Sequence, residues 1–332
     1  MIYNNVELYN VAEILPSGDG DGKFISRIPN KLRLTLNPNA KLRALYSAGC
    51  EIRFNLEGDS AKIILSCENP SIVEVFQGSF LVSWHIVGKE PTEIRVSLPQ
   101  NIKFLDKITR KKNLPFDAHL TRIILPHRLT RLFSIEGETS PPREDQTPKK
   151  KYLAYGSSIT QGVSSYRPTG TYAMRTAQRL AVDLLNLGFG GGAHCEPQLA
   201  DYIAERRDWD FATLEMGINM FRNFSVEEFR RRVEYFVERI AKSHPDKWVF
   251  CIDLFTFSAD FDPSVKKHQE FRNVVKETVE NLNMPKLVHI DGRILLKNVS
   301  GLTSDLVHPA PSGMEEIAYN LSNLIEAKIN GD

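Results

Sequence analysis

At 332 residues the chain is long enough for two domains, each able to bury its own core. Its 42 basic and 41 acidic side chains leave a formal charge of +1, so bulk electrostatics favour neither a phosphate backbone nor an anionic membrane surface, and nucleic acid is not an expected partner. The opening MIYNNVELYNVAEIL lacks the charged start and small-residue cleavage site of a secretory signal, and no later stretch reaches the length of a membrane span; a cytoplasmic protein with no membrane partner is expected.

Short β-rich segments recur between turn signals at 51–56, 61–67, 72–76, 80–87, 92–98 and 120–125. Several alternate, as in Ile52-Arg-Phe54-Asn-Leu56 and Ile94-Arg-Val96-Ser-Leu98, the period of a strand with one buried face. No convincing helix interrupts them, so this half reads as an all-β, jelly-roll-like antiparallel sandwich. Trp84 and His85 fit that sandwich better than a sugar platform. Cys50, Cys67, Cys195 and Cys251 are scattered, with no Cys-x-x-Cys pair, and reduced buried thiols are expected.

The polar, proline-punctuated run Ser140-Pro-Pro-Arg-Glu-Asp-Gln-Thr-Pro-Lys-Lys-Lys151 marks a boundary. It divides the chain into a sandwich over 1–140, a linker over 141–150 and a second domain over 151–332. Candidate strands at 152–155, 183–187, 211–215, 248–253 and 287–290 then alternate with helical patterns. One such pattern opens on a capping box, Ser225 with Glu228, and keeps Val226, Phe229, Val233, Val237 and Ile240 on one stripe. A second covers about 263–282, and a C-terminal helix starts near Ser312-Gly313. Five strands separated by helices imply a parallel, doubly wound α/β sheet.

Tyr155-Gly-Ser-Ser-Ile-Thr-Gln-Gly162 follows the first of these strands, and Asp305-Leu-Val-His308 stands far downstream. A sharp turn after Gly156 puts a serine hydroxyl at the carboxyl edge of the sheet, where open α/β folds hold ligands. Serine needs a base, a group to orient that base, and donors for the oxyanion formed when an ester carbonyl is attacked. Ser158 is the candidate nucleophile, His308 the candidate base and Asp305 the candidate group that orients it. The three-residue spacing lets the carboxylate reach Nδ1 while Nε2 faces outward. Asn186-Leu-Gly-Phe-Gly-Gly-Gly192 follows the second strand, and Glu215-Met-Gly-Ile-Asn219 the third. The first offers backbone donors and the second a carboxamide.

In these four blocks, ordered along residues 150–330, the chain resembles the SGNH or GDSL hydrolase superfamily. The resemblance implies a three-layer α/β/α, flavodoxin-like domain with Ser158 as nucleophile and His308 as base, oriented by Asp305. It implies an oxyanion hole from the backbone N–H groups of Ser158 and Gly191 and the side chain of Asn219. Gly191 is singled out because the family's second-block glycine lies five residues after the asparagine that here is Asn186. Two family aspartates are replaced, by Ser157 and Met220. A sandwich ahead of such a domain is similar to the arrangement in some sugar-acetyl esterases and in related acyltransferases.

The resulting expectation is a serine esterase acting on small O-acyl esters, acetyl first, of a carbohydrate or other small molecule, without metal or organic cofactor. An acyltransferase with the same acyl-enzyme is the alternative. A binding protein that has lost catalysis has no reason to retain all four polar residues. Gly188-Phe-Gly190-Gly-Gly-Ala193 also fits a dinucleotide fingerprint, but after the second strand rather than the first. His194 and Glu196 are candidate pocket-lining residues. Neither they with Cys195, nor His289 with Asp291, are read as metal ligands, since Glu196 and Pro197 suit the first turn of a helix.

Overall fold

The computed structural model describes residues 1–18, 20 and 22–331. Among these, the N-terminal half forms two antiparallel sheets. The first runs Ile2–Tyr3, Val6–Tyr9, Glu51–Leu56, Leu120–Ile124, Ser71–Gln77, Phe80–Val87, with Thr139–Ser140 also paired to Glu51–Leu56. The second runs Glu13–Pro16, Lys23–Ser26, Thr130–Glu136, Ala61–Cys67, Thr92–Val96. Register follows the apolar alternation: Ile52 lies opposite Ile123, and Ile63 is flanked by Ile94 and Ile135. Ile52, Phe54, Ile63, Leu65, Val73, Val75, Ile94 and Ile123 form one buried core between the sheets, which is the sandwich packing expected when each sheet has one apolar face.

This half is not helix-free. Helices occupy Asn30–Arg33, Pro38–Arg43 and Ile102–Lys112. The longest turns Ile102, Leu105, Ile108 and Thr109 toward the protein and leaves its other face exposed, a helical period present in the sequence but overlooked among the β-rich segments.

In the C-terminal half the strands Lys151–Gly156, Asp183–Gly188, Phe211–Glu215, Trp248–Ile252 and Leu287–Ile290 form one parallel sheet with the order 2-1-3-4-5. Successive residues of the first strand face opposite cores. Leu153 and Tyr155 pack with Phe229, Val233, Val237 and Phe271 of the helices Val226–Ser243 and Lys267–Leu282. Tyr152 and Ala154 pack with Met174, Met314, Ile317 and Leu321 of Tyr172–Arg179 and Pro311–Asn330. The result is three layers, helix on sheet on helix. Only half of the expected capping box forms: Ser225 Oγ accepts from Glu228 N at 3.1 Å, while the Glu228 carboxylate is taken by Arg231 and Arg232.

The two halves share buried surface. Tyr9, Ile28, Leu36, Ala40 and Ala44 belong to the same apolar cluster as Leu187, Phe189 and Leu199. Arg53 makes a bidentate pair with Asp183 at 2.7 and 2.6 Å, both side chains buried. Its Nε donates to Glu51 at 2.8 Å, and Glu51 is also bound by Arg122 at 2.6 Å. Burial alone would raise the Glu51 carboxyl, but the two guanidinium groups bring it down to about 2. All four cysteines are free and buried. Among the described residues, no helix is long and apolar enough to cross a membrane.

Candidate active site

The first strand ends at Gly156, where any Cβ would collide with Thr160 Oγ1 and Glu215 Oε2. A glycine is therefore required for the chain to turn so tightly over the third strand. The Ser157 hydroxyl accepts from Ile159 N at 3.1 Å and caps the short helix Ser158–Gln161, holding Ser158 half-buried at the sheet edge. Beneath this turn lies Glu215, fully enclosed. It accepts from Ser157 N at 2.6 Å and from Thr160 Oγ1 at 3.1 Å. Burial raises its carboxyl, against the pull of those hydrogen bonds.

Ser158 Oγ lies 2.8 Å from His308 Nε2, and His308 Nδ1 lies 2.7 Å from Asp305 Oδ2. With Nδ1–H donating to the carboxylate, Nε2 is left to accept the serine proton. Asp305 Oδ1 accepts from Thr303 Oγ1 at 2.9 Å and from the backbone N–H of Val307 and His308 at 2.8 and 2.9 Å. Partial burial would raise the Asp305 carboxyl, but these bonds, led by the one from the His308 ring, hold it well below the usual carboxylate range. The tight loop needs Leu306 at φ +53 and is anchored by Ser258 N donating to Leu306 O at 2.7 Å. The His308 side chain is 24% exposed and that of Asp305 51%, so the relay is open to water.

The glycine run lies against this serine: a Cβ on Gly190 would stand 3.2 Å from Ser158 Cβ. Gly191 takes φ +71, which turns the peptide of the glycine run in a way L-residues resist. Asn219 Oδ1 accepts from Ala193 N at 3.2 Å, which fixes the carboxamide and leaves Nδ2 as its free end. Among the described residues, Ser158 N, Gly191 N and Asn219 Nδ2 have no acceptor. Met220, at one replaced aspartate position, is fully buried and packs in the apolar cluster.

His194 sits beside this group. Burial and the Arg232 charge lower its basicity, while hydrogen bonds to the main chain of Gly191 and Asn219 pull the other way. Its ring packs on Phe224 at 5.0 Å. Glu196 N-caps Pro197–Glu205 without a side-chain cap bond. It is buried, and its carboxylate accepts from Asn37 N at 2.8 Å and Asn37 Nδ2 at 3.1 Å. His289 pairs with Asp253 at 2.7 Å rather than with Asp291, which caps Gly292–Leu295.

Sequence reasoning missed the groups that hold the glycine run. Gln161 Oε1 accepts from Gly190 N at 2.8 Å. From the N-terminal half, Arg27 donates to Gly188 O at 2.7 Å, Arg43 to Gly190 O at 3.3 Å, Asn39 to Gly191 O at 3.0 Å and Asn37 to Gly192 O at 2.9 Å. Arg27 is wholly buried, and burial brings it down to about 10. Its partners are carbonyls, including Tyr46 O and Asn186 O. The segment carrying these side chains lies over the glycine run where a pyrophosphate would sit in a dinucleotide-binding loop. Glu215 had a visible signal, a carboxylate closing the apolar run Phe211-Ala-Thr-Leu-Glu215; the N-terminal clamp had none.

Residues 149–326 match the model of the GDSL-like lipase/acylhydrolase family. The chain belongs to that family. No curated protein matches its sequence. Its fold is similar to that of the salicylyl-acyltransferase SsfX3 from a tetracycline biosynthetic pathway, at TM-score 0.80 and 17% identity over 99% of this chain and 95% of that one. It is also similar to a carbohydrate esterase family 2 enzyme from Corynascus thermopiles, at TM-score 0.64 and 18% identity over 89% and 98%. A family two carbohydrate esterase from Clostridium thermocellum, solved with cellohexaose, gives TM-score 0.62 and 14% identity over 86% and 94%. These enzymes share the two-part architecture of a sandwich and a GDSL-type domain with this member of the family.

Proposed function

We propose that the protein is a serine esterase that removes small O-acyl groups, acetyl first, from a carbohydrate. Ser158 attacks the acyl carbon while His308 Nε2 takes the hydroxyl proton. Asp305 orients the ring and stabilises the imidazolium. Ser158 N, Gly191 N and Asn219 Nδ2 bind the oxyanion. The alcohol leaves with the proton from His308, and water, activated by the same base, releases the acid from the acyl-enzyme. In this reading 151–332 is the catalytic domain, 1–140 the sandwich and 141–150 the linker.

The observation that carries the proposal is the serine–histidine–aspartate relay at 2.8 and 2.7 Å, supported by Ser158 N, Gly191 N and Asn219 Nδ2, which have no acceptor among the described residues. Acyl transfer uses the same intermediate, and SsfX3 is named a transferase. The exposure of His308 and Asp305 favours water as the acceptor. A fluorophosphonate probe labelling Ser158 and failing on Ser158→Ala tests the nucleophile. Acetyl to octanoyl esters, with and without a sugar acceptor, then separate hydrolysis from transfer: free acid as the main product in both supports the esterase, and an acylated acceptor overturns it.

A further inference from the structure

A concavity lies beside the loop that follows the helix Ser158–Gln161. Val163 N donates to Ser158 O at 2.9 Å, and Val163 forms part of the wall of a cavity of about 280 Å³ between the loop after the nucleophile helix and the sandwich. Ser71, His127, Arg128, Ser164, Tyr166 and Arg167 also line it, and no Asp or Glu does. Arg128 has no carboxylate partner among the described residues. Arg167 Nη1 stands 3.7 Å from Glu74 Oε1, but that carboxylate already accepts from Thr169 N and Oγ1 at 2.9 and 3.0 Å. A concave wall that carries two arginines and no carboxylate attracts an anion that brings its own acceptors.

The loop over the cavity carries a second signal. Ser164 and Tyr166 take φ +71 and +60, a conformation costly for such residues and retained where something else requires it. The outcome is a Tyr166 ring left 76% exposed at the rim. A solvent-facing aromatic beside polar groups is the surface on which the apolar face of a pyranose packs.

We propose that this cavity is a subsite for an acidic sugar, with Arg128 and Arg167 binding the carboxylate, Tyr166 stacking on the ring, and the ester of the same substrate presented to Ser158. The ester part rests on the esterase reading; the anion part rests on the cavity alone. The cavity thereby selects substrates by a charge the reacting centre never touches.

Calorimetric titration of the full chain with D-glucuronate, D-glucose and inorganic phosphate tests this, alongside p-nitrophenyl acetate hydrolysis and a thermal melt for every variant. Expected is glucuronate binding at least about tenfold tighter than glucose, weakening with added salt. Arg128→Gln reduces it about tenfold or more with melting unchanged, and Arg167→Gln does so with a lower melting point because the buried Glu74 carboxylate loses its cation, while Tyr166→Ala weakens both sugars alike. None of the three changes p-nitrophenyl acetate turnover. Equal binding of glucose and glucuronate, or arginine variants that bind glucuronate normally, overturns the subsite. Phosphate binding tighter than glucuronate and indifferent to Tyr166→Ala overturns the sugar in favour of a free anion. Arginine-dependent glucuronate binding by a wild-type protein inert to every ester leaves the subsite standing and removes the esterase instead.

Discussion

Asn39 Nδ2 donates to Gly191 O at 3.0 Å across 152 residues of chain, so a side chain from the N-terminal half fixes the peptide that follows a proposed oxyanion donor. Asn39→Ala leaves every triad residue in place and frees that carbonyl. Loss of one hydrogen bond worth about 1 kcal/mol, expressed in the transition state, predicts a roughly fivefold to tenfold lower kcat with KM and melting temperature nearly unchanged. A change confined to KM would assign Asn39 to substrate contact instead.

The clamp also predicts what happens when the halves are separated. A chain of residues 148–332 leaves Asp183 without Arg53, the Gly188 carbonyl without Arg27, and Leu187, Phe189 and Leu199 without Ile28, Leu36 and Ala40. Breaking a buried ion pair by removing one partner costs about 3–5 kcal/mol, before the exposed apolar face is counted. The truncated chain is expected to aggregate or to lack esterase activity, as checked by size-exclusion chromatography and p-nitrophenyl acetate hydrolysis. A soluble, fully active product would make the N-terminal half a separate module.

How much of this was legible in the sequence depends on the range of the interaction. Strands whose apolar residues alternate or run unbroken were visible to the residue, as at Glu51–Leu56, Ala61–Cys67, Phe80–Val87, Phe211–Glu215 and Leu287–Ile290. The short edge strands Ile2–Tyr3 and Glu13–Pro16 were not, because they are too short for a period to emerge, whereas the helix Ile102–Lys112 carries a readable stripe that its β-rich surroundings obscured. Ser158 was readable because its motif follows a strand directly, and the contact between Asp305 and His308 because their three-residue spacing is local. Asn37, Asn39, Arg27 and Arg43 were not, since ordinary polar side chains gain their role only when the fold brings carbonyls to them.

Asn219 separates transition-state binding from substrate binding. Its Oδ1 is engaged by Ala193 N, so truncation removes both a proposed oxyanion donor and a prop for the loop. Asn219→Ala is expected to lower kcat by about a hundredfold or more with little change in KM. Gly191→Ala should be at least as harmful, because φ +71 is strained for any residue with a Cβ. Steady-state kinetics on one acetyl ester decides both.

Asp305 sets the shape of the pH profile. Its carboxyl is held well below the usual range by the His308 ring, two backbone N–H groups and Thr303, so its contribution to stability is present above the ordinary carboxylate value and lost only as pH falls through the depressed one. Asp305 therefore adds no ionisation of its own to the acid limb of kcat/KM across the ordinary carboxylate range. Asp305→Asn should cost on the order of a thousandfold or more in kcat, as expected when the imidazole loses its orienting carboxylate. An acid limb of slope two in the wild type, or near-normal activity in the variant, removes Asp305 from the relay.

Glu215 predicts the opposite dependence. Its carboxyl is raised by burial under the nucleophile turn, so its contribution favours folding below the ordinary glutamate value and is lost as pH rises through the elevated one. Glu215→Gln keeps an acceptor for Ser157 N and Thr160 Oγ1 but never ionises. Its stability relative to wild type should therefore increase with pH across the carboxylate range, read as a growing difference in denaturation midpoint. Glu215→Ala, by contrast, leaves the buried Ser157 N–H unpaired and opens a cavity beneath the turn, at a cost of about 2–4 kcal/mol, and lowers kcat as Ser158 loses its support. If the glutamine variant tracked the wild type at every pH while the alanine variant kept full kcat, Glu215 would be a packing residue with no hold on the nucleophile.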